Sequence, residues 1–209
     1  MRTNPYIPFP SKILEVIRQT QKEFTFRMAF EGDVKPGQFF EVSIPKFGEA
    51  PISVSGITKN SVDLTIRKVG RVTDEVFENY VGDTLFLRGP YGNGFDVNQY
   101  QDGECVVVAG GTGVSPVRGV IDALNETKDA QDKHVILGFK SPSDMLFRDD
   151  IARWEKNMDL ILTMDKEAEG YTGNVGLVTK YIPDLKLKNV ETAQAVVVGP
   201  TAMMKFSVI

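Results

Sequence analysis

Three glycines lie within four residues at Gly110-Gly111-Thr112-Gly113, and Val114-Ser115-Pro116 follow. The segment comes directly after an apolar run, Cys105 to Ala109, that reads as a strand buried on both faces. Glycine lets a backbone approach a ligand closely and take positive φ. Pro116 suits the first turn of a helix. A strand-to-helix turn of this kind offers backbone N–H groups at a helix N-terminus, which favours an anion such as a phosphate. A tight turn with no ligand is the plain alternative. The segment is neither the G-x-G-x-x-G fingerprint nor a P-loop, because no Gly-Lys-Ser/Thr follows.

Three more segments fall at the ends of later apolar runs: Gly138-Phe139-Lys140, Thr163-Met164-Asp165 and Gly199-Pro200-Thr201-Ala202-Met203. Singly they read as a strand end, a turn and a helix start. Together they mark one sheet edge, where open α/β sheets bind ligands. Earlier in the chain, Ala50-Pro51-Ile52-Ser53-Val54-Ser55 has a proline where a strand would lack a donor, so backbone groups near it could serve a flat ligand. Ile66-Arg67-Lys68-Val69-Gly70-Arg71-Val72-Thr73 ends a strand with cations and starts a helix, with Thr73 as N-cap. It reads as a second phosphate site neutralised by Arg67, or as a basic solvated turn. Gly89-Pro90-Tyr91-Gly92-Asn93-Gly94-Phe95 closes a barrel or lets a ring approach.

Composition narrows the chemistry. The 209 residues include one Cys, one His and 19 Gly, with a net charge of -4. One Cys excludes an internal disulfide and a Cys-ligated cluster, and one His excludes multi-His zinc sites. A hydrolytic triad is disfavoured, so redox chemistry would come from bound organic cofactors. The mild acidity argues against nucleic acid as a partner. No stretch approaches a membrane span and no signal core follows Met1-Arg2-Thr3-Asn4-Pro5, so the expectation is a cytoplasmic protein without a membrane partner. His134 reads as an edge residue, Cys105 as a small buried hydrophobe and Trp154 as helix-face packing.

The elements that must position these residues divide into two halves. Lys12–Gln19, Phe24–Met28, Gln38–Ile44, Val62–Ile66 and Thr84–Arg88 read as short, largely alternating strands. Turn signals separate them, among them Lys35-Pro36-Gly37 and Val81-Gly82-Asp83. This spacing suggests a closed antiparallel barrel interrupted by one helix, Thr73–Tyr80. After Gly103 the pattern becomes strand and helix in alternation. Strands are expected at Cys105–Ala109, Val135–Phe139, Leu160–Met164 and Ala195–Val198, with a helix at Phe147–Trp154, which implies a parallel sheet. The expected domains are 1–98 and 99–209. Pro200–Ile209 reads as a helix start with no strand after it, so a further C-terminal part is expected beyond the sequence.

A barrel followed by a nucleotide domain, with these motifs in this order, resembles the ferredoxin–NADP reductase superfamily. That fold is two-domain: an N-terminal flavin-binding antiparallel β-barrel plus a C-terminal α/β parallel-sheet nucleotide-binding domain. The family's Arg-x-Tyr-Ser element falls on Ala50–Ser53, where only Ser53 matches. The Arg-Pro-x-Ser of dihydroorotate dehydrogenase electron-transfer subunits fits Pro51 and Ser53. Gly-x-x-Thr matches Gly70 to Thr73, Gly-Gly-Thr-Gly-x-x-Pro matches Gly110 to Pro116, and Gly-Pro-x-x-Met matches Gly199 to Met203. More narrowly, Gly48–Ser55, Tyr91–Gly94 and Val197–Pro200 look like the NADH-oxidising flavoprotein component of anaerobic sulfite reductases.

The resemblance implies FAD and NADH as cofactors, with NADPH left open by Lys140, and direct hydride transfer between them. Pro51, Ile52, Ser53 and Val54 would line the flavin ring. Ile66 and Arg67 would reach the ribityl and phosphate region, and Gly70, Val72 and Thr73 the pyrophosphate. Gly110, Gly111, Thr112, Gly113 and Pro116 would hold the NAD phosphates, Asp165 a ribose hydroxyl, and Gly199, Pro200 and Met203 the nicotinamide end. No catalytic side chain beyond the cofactors and no metal ligand is expected in these residues; a 2Fe–2S cluster is expected in the missing C-terminal segment. The implied partners are the iron–sulfur and sirohaem subunits of a sulfite reductase complex. The alternatives are a sulfhydrogenase or dihydroorotate dehydrogenase complex, or a non-catalytic nucleotide-sensing subunit.

Overall fold

The computed structural model describes residues 4, 6–79 and 84–208. The turn expected at Val81-Gly82-Asp83, the helix end at Tyr80, and residues 1–3, 5 and 209 lie outside the described residues. The chain divides into two compact units, Met1–Phe95 and Asp96–Ile209.

The first unit is a closed barrel of β1 (Phe9–Arg18), β2 (Glu23–Ala29), β3 (Phe39–Ile44), β4 (Gly48–Ile57), β5 (Ser61–Arg67) and β6 (Thr84–Tyr91), in the order β1-β2-β5-β4-β3-β6. Neighbouring strands are antiparallel. Alternation sends Phe26, Met28, Phe40, Val42, Leu64, Ile66 and Leu87 into the core, each at most 1 % exposed. Helix α1 (Arg71–Asn79) packs on this core through Val76 and Phe77, with the Phe77 ring 4.7 Å from Phe24 and 6.0 Å from Phe26.

The sequence pattern finds five of these strands but not β4, which holds Pro51. The register explains how a proline fits there. β4 pairs with β3 from Gly48 to Ser53 and with β5 only from Val54 to Ile57. At Pro51 the β5 side of β4 has no partner, so a missing N–H there breaks no ladder. Helix α1 starts at Arg71, two residues before the expected N-cap. Thr73 is inside the first turn, and its hydroxyl accepts from Val69 N and Gly70 N, each at 3.0 Å. It ties the turn and does not cap the helix.

The second unit is a five-stranded sheet of β7 (Cys105–Gly110), β8 (Lys133–Phe139), β9 (Asp159–Met164), β10 (Asn174–Val175) and β11 (Gln194–Val198), ordered β10-β9-β8-β7-β11 and parallel throughout. α2 (Val114–Asn125) and α3 (Arg148–Trp154) are connecting helices, and α4 (Thr201–Ser207) follows β11. The four expected strands and the α3 helix are present. The two-residue β10 is too short for a pattern to reveal. Cys105 and Trp154 are both fully buried, and the Trp154 indole N–H donates to Asp122 Oδ1 at 2.9 Å. His134 corrects the edge expectation. It lies on the central strand β8, 6 % exposed, with Nδ1 2.8 Å from Asp159 Oδ2.

Candidate functional site

In the first unit, the expected residues gather where β4 and β5 part. Beyond the Val54↔Leu64 pair, β5 from Thr65 to Arg67 pairs only with β2, and β4 from Gly48 to Ser53 pairs only with β3. Ser55 Oγ and Thr65 Oγ1 still meet at 2.7 Å at the base of this divergence. Pro51, Ile52 and Ser53 therefore stand on a strand edge with backbone groups outside the sheet on one side. Val54 and Ile66 are core residues, 2 % and 0 % exposed. Turning either side chain outward would forfeit roughly 1.5–3 kcal/mol of burial, so each offers backbone at most. The Val54 amide is already donated to Gln38 O at 2.9 Å.

Arg67 ends β5. Its Nε lies 3.1 Å from Glu23 Oε1, yet this buried atom is not aligned with any acceptor. A guanidinium so placed keeps donor capacity for an anion. Three residues on, Gly70 precedes α1, and a Cβ added to it would meet nothing within 4 Å. The first helical bond runs from Asp74 N to Gly70 O at 2.7 Å. The amides of Arg71, Val72 and Thr73 thus have no intrahelical acceptor and form a donor cradle at a helix N-terminus. The Gly70 amide does not join it, because Thr73 Oγ1 takes that proton.

The second unit carries a similar cradle. β7 ends at Gly110, and one 3-10 turn, Gly111–Gly113, leads into α2. The Val114 amide donates back to Gly111 O, and the Gly111, Thr112 and Gly113 amides have no acceptor within this turn. Gly111 takes φ 56 and a Cβ there would meet nothing within 4 Å, whereas Gly113 is packed tightly on the end of β11. Ser115 Oγ, in the first turn of α2, is buried without a hydrogen-bond partner. Pro116 is the third residue of α2 and needs no N–H donor there.

Parallel register sets Gly110 and Gly199 side by side, one residue past the Val198↔Ala109 pair. Met203 lies over both: an added Cβ would fall 2.6 Å from its Sδ at Gly110 and 2.6 Å from its Cε at Gly199. Its side chain is therefore packing for two glycines, and Gly199-Pro200 turns the chain into α4. Asp165 is exposed at the end of β9, with its amide bonded to Phe139 O at 2.9 Å, beside the exposed Lys140. These residues share the carboxyl edge of one sheet, as expected. Cys105 is elsewhere in β7, and burial pushes its thiol up to about 11. Among the described residues no group of three or more His, Cys, Asp and Glu is placed to hold a metal, and no helix is long and apolar enough to cross a membrane. Sequence reading passed over Arg71 as a site residue. The available signal was a cation at the first helical position, where the helix dipole disfavours one.

A closed antiparallel barrel and a parallel sheet, each with an N–H cradle at a strand-to-helix turn, define the two-domain reductase class. Residues 107–208 match the family described as "Oxidoreductase NAD-binding domain". The chain is 33% identical to sulfhydrogenase 2 subunit gamma of Pyrococcus furiosus, over 97% of this chain and 78% of that protein. It is 31% identical to a probable dihydroorotate dehydrogenase B (NAD(+)) electron transfer subunit of Thermoplasma volcanium, over 92% of this chain and 69% of that one. Among solved structures, the NADH-dependent reduced ferredoxin–NADP oxidoreductase superposes with TM-score 0.77 at 24% identity, covering 99% of this chain and 72% of that one. The ferredoxin reductase of carbazole 1,9a-dioxygenase gives 0.80 at 20%, with 97% of this chain spanning 64% of that one. The chain belongs to the ferredoxin–NADP reductase superfamily.

Proposed function

We propose that this chain is the FAD-binding, NADH-oxidising electron-transfer subunit of a multi-subunit complex, and that it delivers single electrons to an iron–sulfur partner. The observation that carries the reading is the pair of N–H cradles, one in each unit, in a chain of this superfamily. At Gly70 and Gly111 the space a Cβ would take is open, and backbone amides with a nearby guanidinium are the donor set that phosphate oxygens require. When bound, such cofactors supply two-electron exchange with a nicotinamide and one-electron exchange with a cluster.

The chain's own residues bind and orient. Pro51, Ile52 and Ser53 would face the flavin ring with backbone groups and the Ser53 hydroxyl, while the Val54 and Ile66 side chains stay in the core. The amides from Arg71 to Thr73 would take the pyrophosphate, with Arg67 offsetting its charge. The amides of Gly111, Thr112 and Gly113 would take the nucleotide phosphates at the turn set by Gly110 and Pro116. Asp165 would accept from a ribose hydroxyl, which favours NADH over NADPH. Gly199, Pro200 and Met203 would form the nicotinamide end. One buried Cys cannot hold a cluster, so electrons would leave for clusters outside these residues. The subunit would work in the cytoplasm, where NADH is a soluble donor.

For the complex, the gamma subunits of sulfhydrogenases and the electron-transfer subunits of dihydroorotate dehydrogenase are the better-supported kin. The sulfite reductase reading rests on Gly48–Ser55, Tyr91–Gly94 and Val197–Pro200 alone. Purified protein tests the first step: it should take up FAD, and NADH should bleach the yellow colour anaerobically. Colourless protein that takes up no FAD refutes the reading and favours a nucleotide-sensing role. Reconstitution with iron–sulfur subunits of the three complexes, scored by NADH-driven reduction of each, then separates the partners.

A further inference from the structure

We propose that Arg71 is a positioning residue for the phosphate loop at the start of α1, and that it acts by latching the Lys46–Gly48 turn against that loop. The inference rests on the flavin reading above for what the loop holds. The β3–β4 turn is an unusual one. Lys46 takes φ 74, a left-handed conformation disfavoured for a residue with a Cβ. The Phe47 amide closes the turn on Ile44 O at 3.0 Å, and Gly48 follows at φ 118.

Arg71 engages this turn twice. Its Nη2 donates to the carbonyl oxygen of Lys46 at 3.3 Å, and its guanidinium carbon lies 5.6 Å from the centre of the Phe47 ring. The carbonyl it holds belongs to the strained residue itself. At Gly48 a Cβ would meet Val72 Cγ2 at 3.6 Å, so the turn also lies within van der Waals reach of the helix's second residue. Arg71 is the first residue of α1, where the helix dipole disfavours a cation. The carbonyl and the ring face offset that disadvantage. On the other side of the same loop, the Thr73 hydroxyl fixes the Val69 and Gly70 amides.

The cradle amides of Arg71, Val72 and Thr73 are therefore held between two fixed points, Thr73 on the inside and the Lys46–Gly48 turn on the outside. Freeing the outer one lets the turn move away from α1 and widens the mouth through which a diphosphate leaves. Phe47 is the informative partner, because it meets Arg71 and is not one of the cradle donors.

The experiment is a double-mutant cycle on FAD release, read as recovery of free flavin fluorescence. Arg71→Ala should speed release about fivefold to tenfold, as loss of an exposed hydrogen bond together with a cation–π contact predicts. Phe47→Ala should speed it about twofold to fivefold. The double variant should be no faster than Arg71→Ala alone, since both act through one latch. Arg71→Lys, which keeps the charge over the ring, should restore part of the retention. Multiplicative single effects, or an unchanged rate in Phe47→Ala, overturn the latch and make Arg71 a direct phosphate ligand. Amide exchange in the flavin-free protein gives a second readout. Arg71→Ala should speed exchange at Phe47, and unchanged exchange there also overturns the proposal. A wild-type chain that takes up no FAD refutes the flavin reading, and the exchange measurement still decides the latch.

Discussion

Gly113→Ala separates local preference from tertiary packing, and the two have opposite signs. Gly113 has φ -62 and ψ -15, an ordinary right-handed helical conformation. Taken alone, alanine there should stabilise by about 0.5–1 kcal/mol, because glycine loses more backbone freedom on folding. The surroundings decide otherwise. An added Cβ would fall 2.5 Å from the carbonyl oxygen of Val198 and 2.9 Å from both Val198 C and Gly199 Cα. All three are backbone atoms at the end of β11, where no flexible side chain can turn aside. Overpacking typically costs about 1–3 kcal/mol, and a backbone contact belongs at the upper end. The net expectation is a loss of about 2 kcal/mol, or a Tm about 4–8 °C lower for a chain of this size. Thermal unfolding followed by far-UV circular dichroism measures it. A Tm equal to or above wild type would show that the β11 end yields freely, and would refute the reading of Gly113 as the contact that seats α2 on the sheet edge.

Three further expectations follow from other parts of the molecule. Gly70→Ala meets open space, so Tm should stay within about 2 °C, an exposed substitution being worth within about 0.5 kcal/mol, while FAD titration should show at least tenfold weaker binding; equal affinity would mean that no phosphate sits at that turn. Lys133 is fully buried, and its ammonium donates to Gln101 O at 2.6 Å, to Gly103 O, and to Asp129 Oδ2 at 3.1 Å. Lys133→Met strips three acceptors of their donor and should cost about 3 kcal/mol in chemical denaturation, against less than 1 if those groups simply turn to water. The Glu104 carboxylate is held below the usual carboxylate range, chiefly by the Lys188 amide at 2.6 Å and further by the Asn189 amide at 2.7 Å and by His134. A depressed folded-state value means that the clamp contributes fully above the ordinary 4.5 and is lost as pH falls through and below it. Tm measured against pH should therefore have a flatter acid limb in Glu104→Gln, and an acid limb identical to wild type would remove the clamp from the account.

How much of this was legible in the sequence depends on the range of the forces involved. Phe40 and Val42 alternate because one barrel face is wet, and Cys105 to Ala109 run apolar because β7 is covered on both faces; both causes are local and both patterns survive in one dimension. β4 was hidden because its proline is tolerated only through a change of partner at Ser53 and Val54, which no window of residues records. The edge reading of His134 failed for the same kind of reason. A polar residue near a strand start looks peripheral, but Glu104, just before β7, and Asp159, at the start of β9, face its ring. At the candidate site the glycines announced themselves by type, yet their roles did not. Gly111 faces open space, Gly110 and Gly199 leave space for Met203, and Gly113 leaves space for another strand's carbonyl. A glycine-rich turn thus states that something approaches the backbone closely. Whether the visitor is a phosphate or the protein itself is decided by strands far away in sequence, and for three of these four glycines it is the protein.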